Sequence, residues 1–225
     1  MNEKMVHPDW EFTICLSDGS SSLLVIENPI RLRGTVMDLI KQSNGEEGEF
    51  ILSDDNKQLD IHSRLIVVTD PLNADPSNKR VTASVAQQIK EIIVSPDHLL
   101  EANDLISHME RFAETIEDDY RLNVSHQEYD STNLYKVLNI QLQVEYENEL
   151  ERLLEFMNVF HDVCGVDCFV FISIFSLFSE EEIGVLVSEA TANKHNLLFI
   201  EGCEPSFVPE GTTKLIIDRD SCQIF

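Results

Sequence analysis

The stretch CFVFISIFSLFSEEEIGVLVSEATANKHNLLFIE, residues 168–201, decides the fold. Its ends, Cys168–Ser173 and Asn196–Glu201, are apolar runs without apolar/polar alternation, the mark of strands buried on both faces. Between them, Ser179–Lys194 reads as a helix. Ser179 caps it, Glu182 completes a Ser-x-x-Glu capping box, and Ile183, Leu186, Val187 and Ala190 form one stripe. Strand, helix, strand at this spacing is a β-α-β unit, whose strands must be parallel and whose crossover must be right-handed. A third run, Leu65–Asp70 (LIVVTD), has the same texture. The predicted core is therefore α/β. Ligands of such sheets sit at the carboxyl ends of the strands, which directs attention to the loops after Asp70, Ser173 and Glu201.

Composition bounds the function. A chain of 225 residues with 43% hydrophobic residues suits one sizeable domain, or a domain with a large insertion. Its net charge of −25 repels phosphate at long range, permits divalent cations and favours solubility. No apolar run approaches the roughly 18–20 residues of a membrane span. The opening MNEKMVHPDW has neither the basic nor the apolar segment of a signal peptide. Cys15, Cys164, Cys168, Cys203 and Cys222 follow no disulfide framework. A soluble cytoplasmic protein is expected.

Along the chain, Trp10–Leu16 and Leu23–Ile26 read as strands around a Ser17–Ser22 turn. Pro29–Gly34 reads as a bend, Thr35–Gln42 as a short helix and Glu49–Ser53 as another strand. After Asp70 the texture turns helical. Val81, Val85, Ile89, Ile92 and Ile93 recur at helical spacing, Ser95-Pro96-Asp97 breaks the pattern, and Leu105, Met109, Phe112, Ile116 and Tyr120 line a second face. Leu134, Val137 and Leu138 suggest a third, shorter helix. Ile140–Tyr146 alternates as a strand does, and Leu150, Leu153, Leu154, Met157 and Phe160 form an amphipathic helix. The expected organisation is a discontinuous α/β head, residues 1–71 and 140–225, with an all-helical insertion at 72–139.

Candidate chemistry is sparse. Neither G-x-x-x-x-G-K-[ST] nor G-x-G-x-x-G occurs, and no serine or cysteine sits in a nucleophile signature. The seven histidines are scattered and read as surface residues. Cys164 and Cys168 read as core packing rather than as a metal knuckle. The acidic stretch Glu114–Asp130 is the best cation candidate, with Glu117, Asp118, Asp119, Glu128 and Asp130 offering oxygens around one bend; a solvated helix end is the alternative. Only sixteen Lys and Arg are present, yet Arg31 and Arg33, then Lys41, then Lys79 and Arg80, lie close together in the chain. Copies gathered around an opening would make these a locally positive lining within an acidic shell.

Three segments resemble one family. They are Pro29-Ile-Arg-Leu-Arg-Gly34, Leu65-Ile-Val-Val-Thr-Asp-Pro-Leu-Asn-Ala-Asp75, and Leu134-Tyr-Lys-Val-Leu-Asn-Ile140 followed by the Leu150 helix. With Phe169–Ile174, Phe178–Ile183 and Leu197–Glu201, their order and spacing resemble the Csn-two proteins, adaptation proteins of type II-A CRISPR systems. The resemblance spans most of residues 24–218 and rests on the order of elements rather than on one short motif.

The resemblance implies a Rossmann-like head, similar to a P-loop ATPase without its Walker motif, carrying an inserted α-helical domain. It implies a non-enzymatic, ring-shaped homotetramer that takes the end of double-stranded DNA into a positively lined hole, without nucleotide. Such a protein would serve spacer acquisition beside the integrase pair and the effector nuclease of the locus. The DNA-contacting candidates are then Arg31, Arg33, Lys41, Lys79, Arg80 and Lys136, and the calcium candidates Glu117, Asp118, Glu128 and Asp130. The chain departs from the family where Asn133 precedes Leu134, and where Ser173 stands in place of a more polar amide; Met1–Leu23 is longer than usual. Two other classes fit the composition: an acidic protein that imitates DNA, and a degenerate nucleotide-binding switch.

Overall fold

A computed structural model of the chain describes residues 3–55, 57–121, 124–126 and 129–224. It divides into two compact units, residues 1–76 with 144–225, and residues 77–143. In chain order the first unit begins with β1 (Glu3–Val6), β2 (Ile14–Leu16), β3 (Ser21–Ile26), α1 (Pro29–Ser43), β4 (Ile51–Asp54), β5 (Lys57–Leu59), α2 (Ile61–Arg64) and β6 (Leu65–Val68). The second unit holds α3 (Lys79–Ile93), α4 (Leu99–Asp119) and α5 (Leu134–Leu138). The first then resumes with α6 (Glu149–Cys164), β7 (Cys168–Ile172), α7 (Glu180–Ala192), β8 (Asn196–Glu201), β9 (Thr213–Ile217) and β10 (Gln223–Ile224).

The main sheet runs β10-β9-β3-β8-β7-β6, parallel except for β10. Numbered by their succession in the chain, its parallel strands stand in the order 5-1-4-3-2. Every residue of β3 and β8, which lie side by side, is buried. A second, antiparallel sheet, β2-β1-β4-β5, covers one face. Met5, Ile14, Leu16, Leu39, Phe50 and Leu52 from that layer and α1 join Leu24, Ile26, Val170, Leu198 and Ile200 in one core. On the other face Phe171 stacks on Phe199 with centroids 6.2 Å apart, and Phe156 of α6 meets Phe169 edge-on at 6.3 Å. Each fully buried ring of this kind contributes about 1.5–3 kcal/mol.

The β7-α7-β8 unit matches its reading. The strands pair in parallel, the Ser179 hydroxyl accepts the Glu182 N–H, and Glu182 Oε2 accepts the Ser179 N–H at 2.8 Å. Other readings are corrected. Pro29–Gly34 is helix, not bend, because Asn28 Oδ1 accepts the N–H groups of Ile30 and Arg31 while Pro29 occupies the first position, where no N–H is needed. Of Trp10–Leu16 only Ile14–Leu16 is strand, and Leu65–Asp70 ends at Val68 as an edge strand whose Ile66 and Val67 are half-buried. Residues 140–146 form no strand. Their alternation survives as half-burial of Leu142 and Val144, but no neighbouring strand offers hydrogen bonds.

In the second unit, Asn78 caps α3, and Ile93, Ala102 and Leu134 close a small core with Ile89, Met109 and Tyr135 against it. Among the described residues no helix is long and apolar enough to cross a membrane.

Candidate functional site

A 5-1-4-3-2 sheet places its crevice at the carboxyl ends of β3 and β8, whose outgoing connections run in opposite directions. Here that crevice is filled. Only Glu27 and Asn28 separate β3 from α1, too few residues for a phosphate loop. The first turn of α1, whose N–H groups would otherwise cradle an anion, is satisfied from within. Pro29 has no N–H, Ile30 and Arg31 donate to Asn28 Oδ1 at 3.0 and 3.3 Å, and Leu32 donates to the Asn28 carbonyl at 2.9 Å. Across the crevice, a Cβ on Gly202 would stand 3.2 Å from Leu32 Cδ2, so α1 seats directly against the loop leaving β8. Asn28-Pro29 is a local helix-start signal, whereas the seating of Leu32 beside Gly202 depends on how α1 packs.

The basic candidates fall in both units. In the first, Arg31, Arg33 and Lys41 all lie on α1, where turns of about 100° per residue put Arg33 and Lys41 within about 80° of each other. Arg31 turns instead toward Asp9, 4.0 Å away. Arg33 and Lys41 are exposed. In the second unit, Lys79 and Arg80 form the first turn of α3, with Asn78 Oδ1 accepting the Arg80 and Val81 N–H groups. Lys136 of α5 lies 5.9 Å from the Tyr135 ring centre, and Lys90 of α3 sits over the same ring at 4.8 Å. Nothing local in the sequence marks Lys90, because its cation–π contact joins two helices.

The acidic candidates do not gather. Glu117 Oε1 accepts the Nδ1–H of His126 at 2.7 Å and also its backbone N–H, and these bonds hold the Glu117 carboxyl below its usual range. Asp118 is exposed at the end of α4, the Asp130 carbonyl accepts the Asn133 N–H at 2.8 Å, and Glu128 lies outside the described residues. No three His, Cys, Asp or Glu side chains among the described residues are placed to share a metal ion. The three described members of the calcium set, Glu117, Asp118 and Asp130, are thus not placed to share one ion.

Two further carboxylates are buried. Glu3, on β1, is buried against Arg64, 3.3 Å away, and burial pushes its carboxyl up. Glu201, at the end of β8, is 5% exposed and accepts the Phe175 N–H at 3.1 Å. Of the histidines, His195 is not a surface residue; it is buried against His161 and Phe169. Cys168 is core, as its place in a buried run implied, and burial pushes its thiol far up.

Residues 42–221 match the family model of the CRISPR-associated protein (Cas_Csn2). The chain belongs to this family. Among solved structures, this Csn-two protein is similar to the crystal structure of Stu0660 of Streptococcus thermophilus. The two are 15% identical with a TM-score of 0.53, over 91% of this chain and 69% of that one. At that identity the likeness is one of fold. The ADP conformation of MJ1267, an ATP-binding cassette of an ABC transporter, aligns at 10% identity and a TM-score of 0.39, over 89% of this chain and 80% of that one. The α/β head with an inserted helical unit is thus an arrangement that Csn-two membership and the Stu0660 likeness both fit.

Proposed function

We propose that this Csn-two protein binds the ends of double-stranded DNA without sequence preference, as a homotetrameric ring, and serves CRISPR spacer acquisition in the cytoplasm. It would do so beside the integrase pair and the effector nuclease, without a catalytic step of its own. One observation carries the DNA reading. In a chain of net charge −25, α4, α6 and α7 open with acids, as the helix dipole favours. By contrast, α1 and α3 have no acid in their first turns; Arg31 stands in one, and Lys79 with Arg80 in the other. The first-turn N–H groups of α1 and α3 are already capped, so a phosphate would be met there by the side chains, and its charge would offset the cost of setting cations at a helix N-terminus.

The physics of such binding is electrostatic. Duplex DNA presents a charge about every 1.7 Å of its axis, so a few cations repeated by symmetry meet many phosphates. Self-association is supported by α4, where Phe112 and Ile116 form one stripe, 68 and 51% exposed. The filled crevice between β3 and β8 favours a binding role over nucleotide hydrolysis.

The test compares a linear duplex with the same duplex closed into a circle, at low salt, with and without calcium. Retention on the linear form alone is expected. Equal binding to both would discard end threading. Binding to neither, by folded protein, would favour the acidic DNA imitator.

A further inference from the structure

Glu201 is an unusual charge. It is 5% exposed and ends β8, yet no cationic side chain among the described residues pairs with it. Its partners are backbone N–H groups of Phe175 and Ile174, which only partly counter the burial that pushes its carboxyl up. Buried carboxylates in proteins are ordinarily paired with a cation or a metal. This one lines a cavity of about 170 Å³ together with Phe175, Phe178, Phe207, Glu180 and Cys203.

The cavity is built by the ends of two parallel strands. After β7 the chain turns through Ser173 at φ 57, which carries Phe175 to the wall, where its ring stands edge-on to Phe199 at 5.2 Å. Phe178 is 8% exposed and Phe207 half-buried. At the rim, Glu180 accepts the Ser206 hydroxyl at 3.4 Å and opens α7 with Glu181 and Glu182; these acids counter the positive end of that helix.

The occupant follows from this chemistry. The volume is below the roughly 300–1,000 Å³ of cofactor and drug-sized pockets, so the site fits the head of a side chain or a small amine. No three metal-ligating side chains gather among the described residues. Aromatic walls around a carboxylate favour an organic cation, which gains from ring faces as well as from the charge. We propose that this cavity receives one guanidinium or ammonium group, with Glu201 as its counter-charge and the Phe175, Phe178 and Phe207 rings as its walls. This inference does not rest on the DNA-binding reading.

The test titrates the full chain by calorimetry with N-acetyl-arginine amide, with agmatine, and with the uncharged isostere N-acetyl-citrulline amide. Saturable binding of a guanidinium compound is expected, at least tenfold weaker for Glu201→Gln and for the citrulline compound. Glutamine keeps an oxygen for the Phe175 N–H, so that variant is expected to fold and to retain DNA binding. Phe207→Ala provides a second variant, expected to lose several-fold in affinity. Tighter binding of the arginine amide than of agmatine would assign the cation to a polypeptide partner, and the reverse to a free amine. Absence of saturable binding, equal binding of citrulline, or undiminished binding by Glu201→Gln would each overturn the site.

Discussion

Arg64 lies 3.3 Å from the Glu3 carboxylate, joining the buried start of β1 to the residue that immediately precedes β6. The same guanidinium donates to Asp167, just ahead of β7. One partly exposed arginine thus ties the antiparallel layer to two strands of the main sheet. Arg64→Met leaves Glu3 buried without its counter-charge and should destabilise the protein by about 3 kcal/mol, whereas Glu3→Leu with Arg64→Met should recover most of that loss. Urea denaturation checks both. An Arg64→Met variant as stable as the parent would mean that the pair has no energetic role.

Two buried groups at this end of the sheet give opposite pH signatures. Burial, then His161, lowers His195 below its ordinary 6.5, so its contribution is complete above pH 6.5 and lost as pH falls through the lowered value. Burial raises Glu3 above 4.5, so its contribution is complete below pH 4.5 and lost as pH rises through the raised value. Thermal melts of the parent, His195→Phe and Glu3→Gln between pH 4.5 and 7.5 separate the two. The advantage of the parent over His195→Phe should shrink on acidification, and its disadvantage against Glu3→Gln should grow on alkalinisation. Parallel curves would remove both assignments.

Gly19 sits at φ +78, where a Cβ would stand 2.8 Å from the Thr191 Cα and 2.9 Å from its carbonyl oxygen. Gly19→Ala should therefore cost about 2–3 kcal/mol, from strain and clash together. Gly211 has a similar φ of +83 with nothing near its absent Cβ, and Gly211→Ala should cost only about 1 kcal/mol. Equal losses at the two positions would show that backbone conformation alone decides.

The caps and the crevice make a joint prediction. Asn28→Ala should destabilise by about 1 kcal/mol through loss of the α1 cap. Neither the parent nor this variant should gain thermal stability from ATP with magnesium, because Leu32 still fills the space beside Gly202. A nucleotide-dependent shift in the parent would revive the switch reading.

DNA binding should weaken steeply with salt. For every phosphate contact removed by Arg33→Glu, Lys79→Glu or Arg80→Glu, the slope of log affinity against log salt should fall by about 0.9. Unchanged slopes in all three would place the contacts elsewhere on the chain.

What the sequence revealed followed the range of the interactions. The β7-α7-β8 unit was legible because buried runs, a capping box and a helical stripe are all local signals. So was the helical character of α3 to α5. The antiparallel layer was legible in part: β2 and most of β4 fall within strands read from the sequence, whereas β1, with its inward-facing Glu3, takes its strand character from pairing with Leu16 and with the distant Asp54. Pro29 looked like a break until Asn28 was seen to cap the helix that it starts. Ile140–Tyr146 had the period of a strand but no partner. At the site, the basic residues could be named but not grouped, and Glu201 gave only a faint sign, an acid closing an otherwise apolar run.

The placement of β3 has a consequence for how this protein comes into being. Its neighbours on either side, β8 and β9, are made some 170 residues or more after it, reading from Ser21 to Leu197 and from Ser22 to Thr213. During synthesis one of the two fully buried strands of the sheet therefore waits, unpaired, while the helical unit is made and can settle through contacts within its own residues. Pairings so distant in sequence form slowly and leave strand edges open in the meantime. The nascent chain thus passes through a long aggregation-exposed stage that ends only when its last strands emerge.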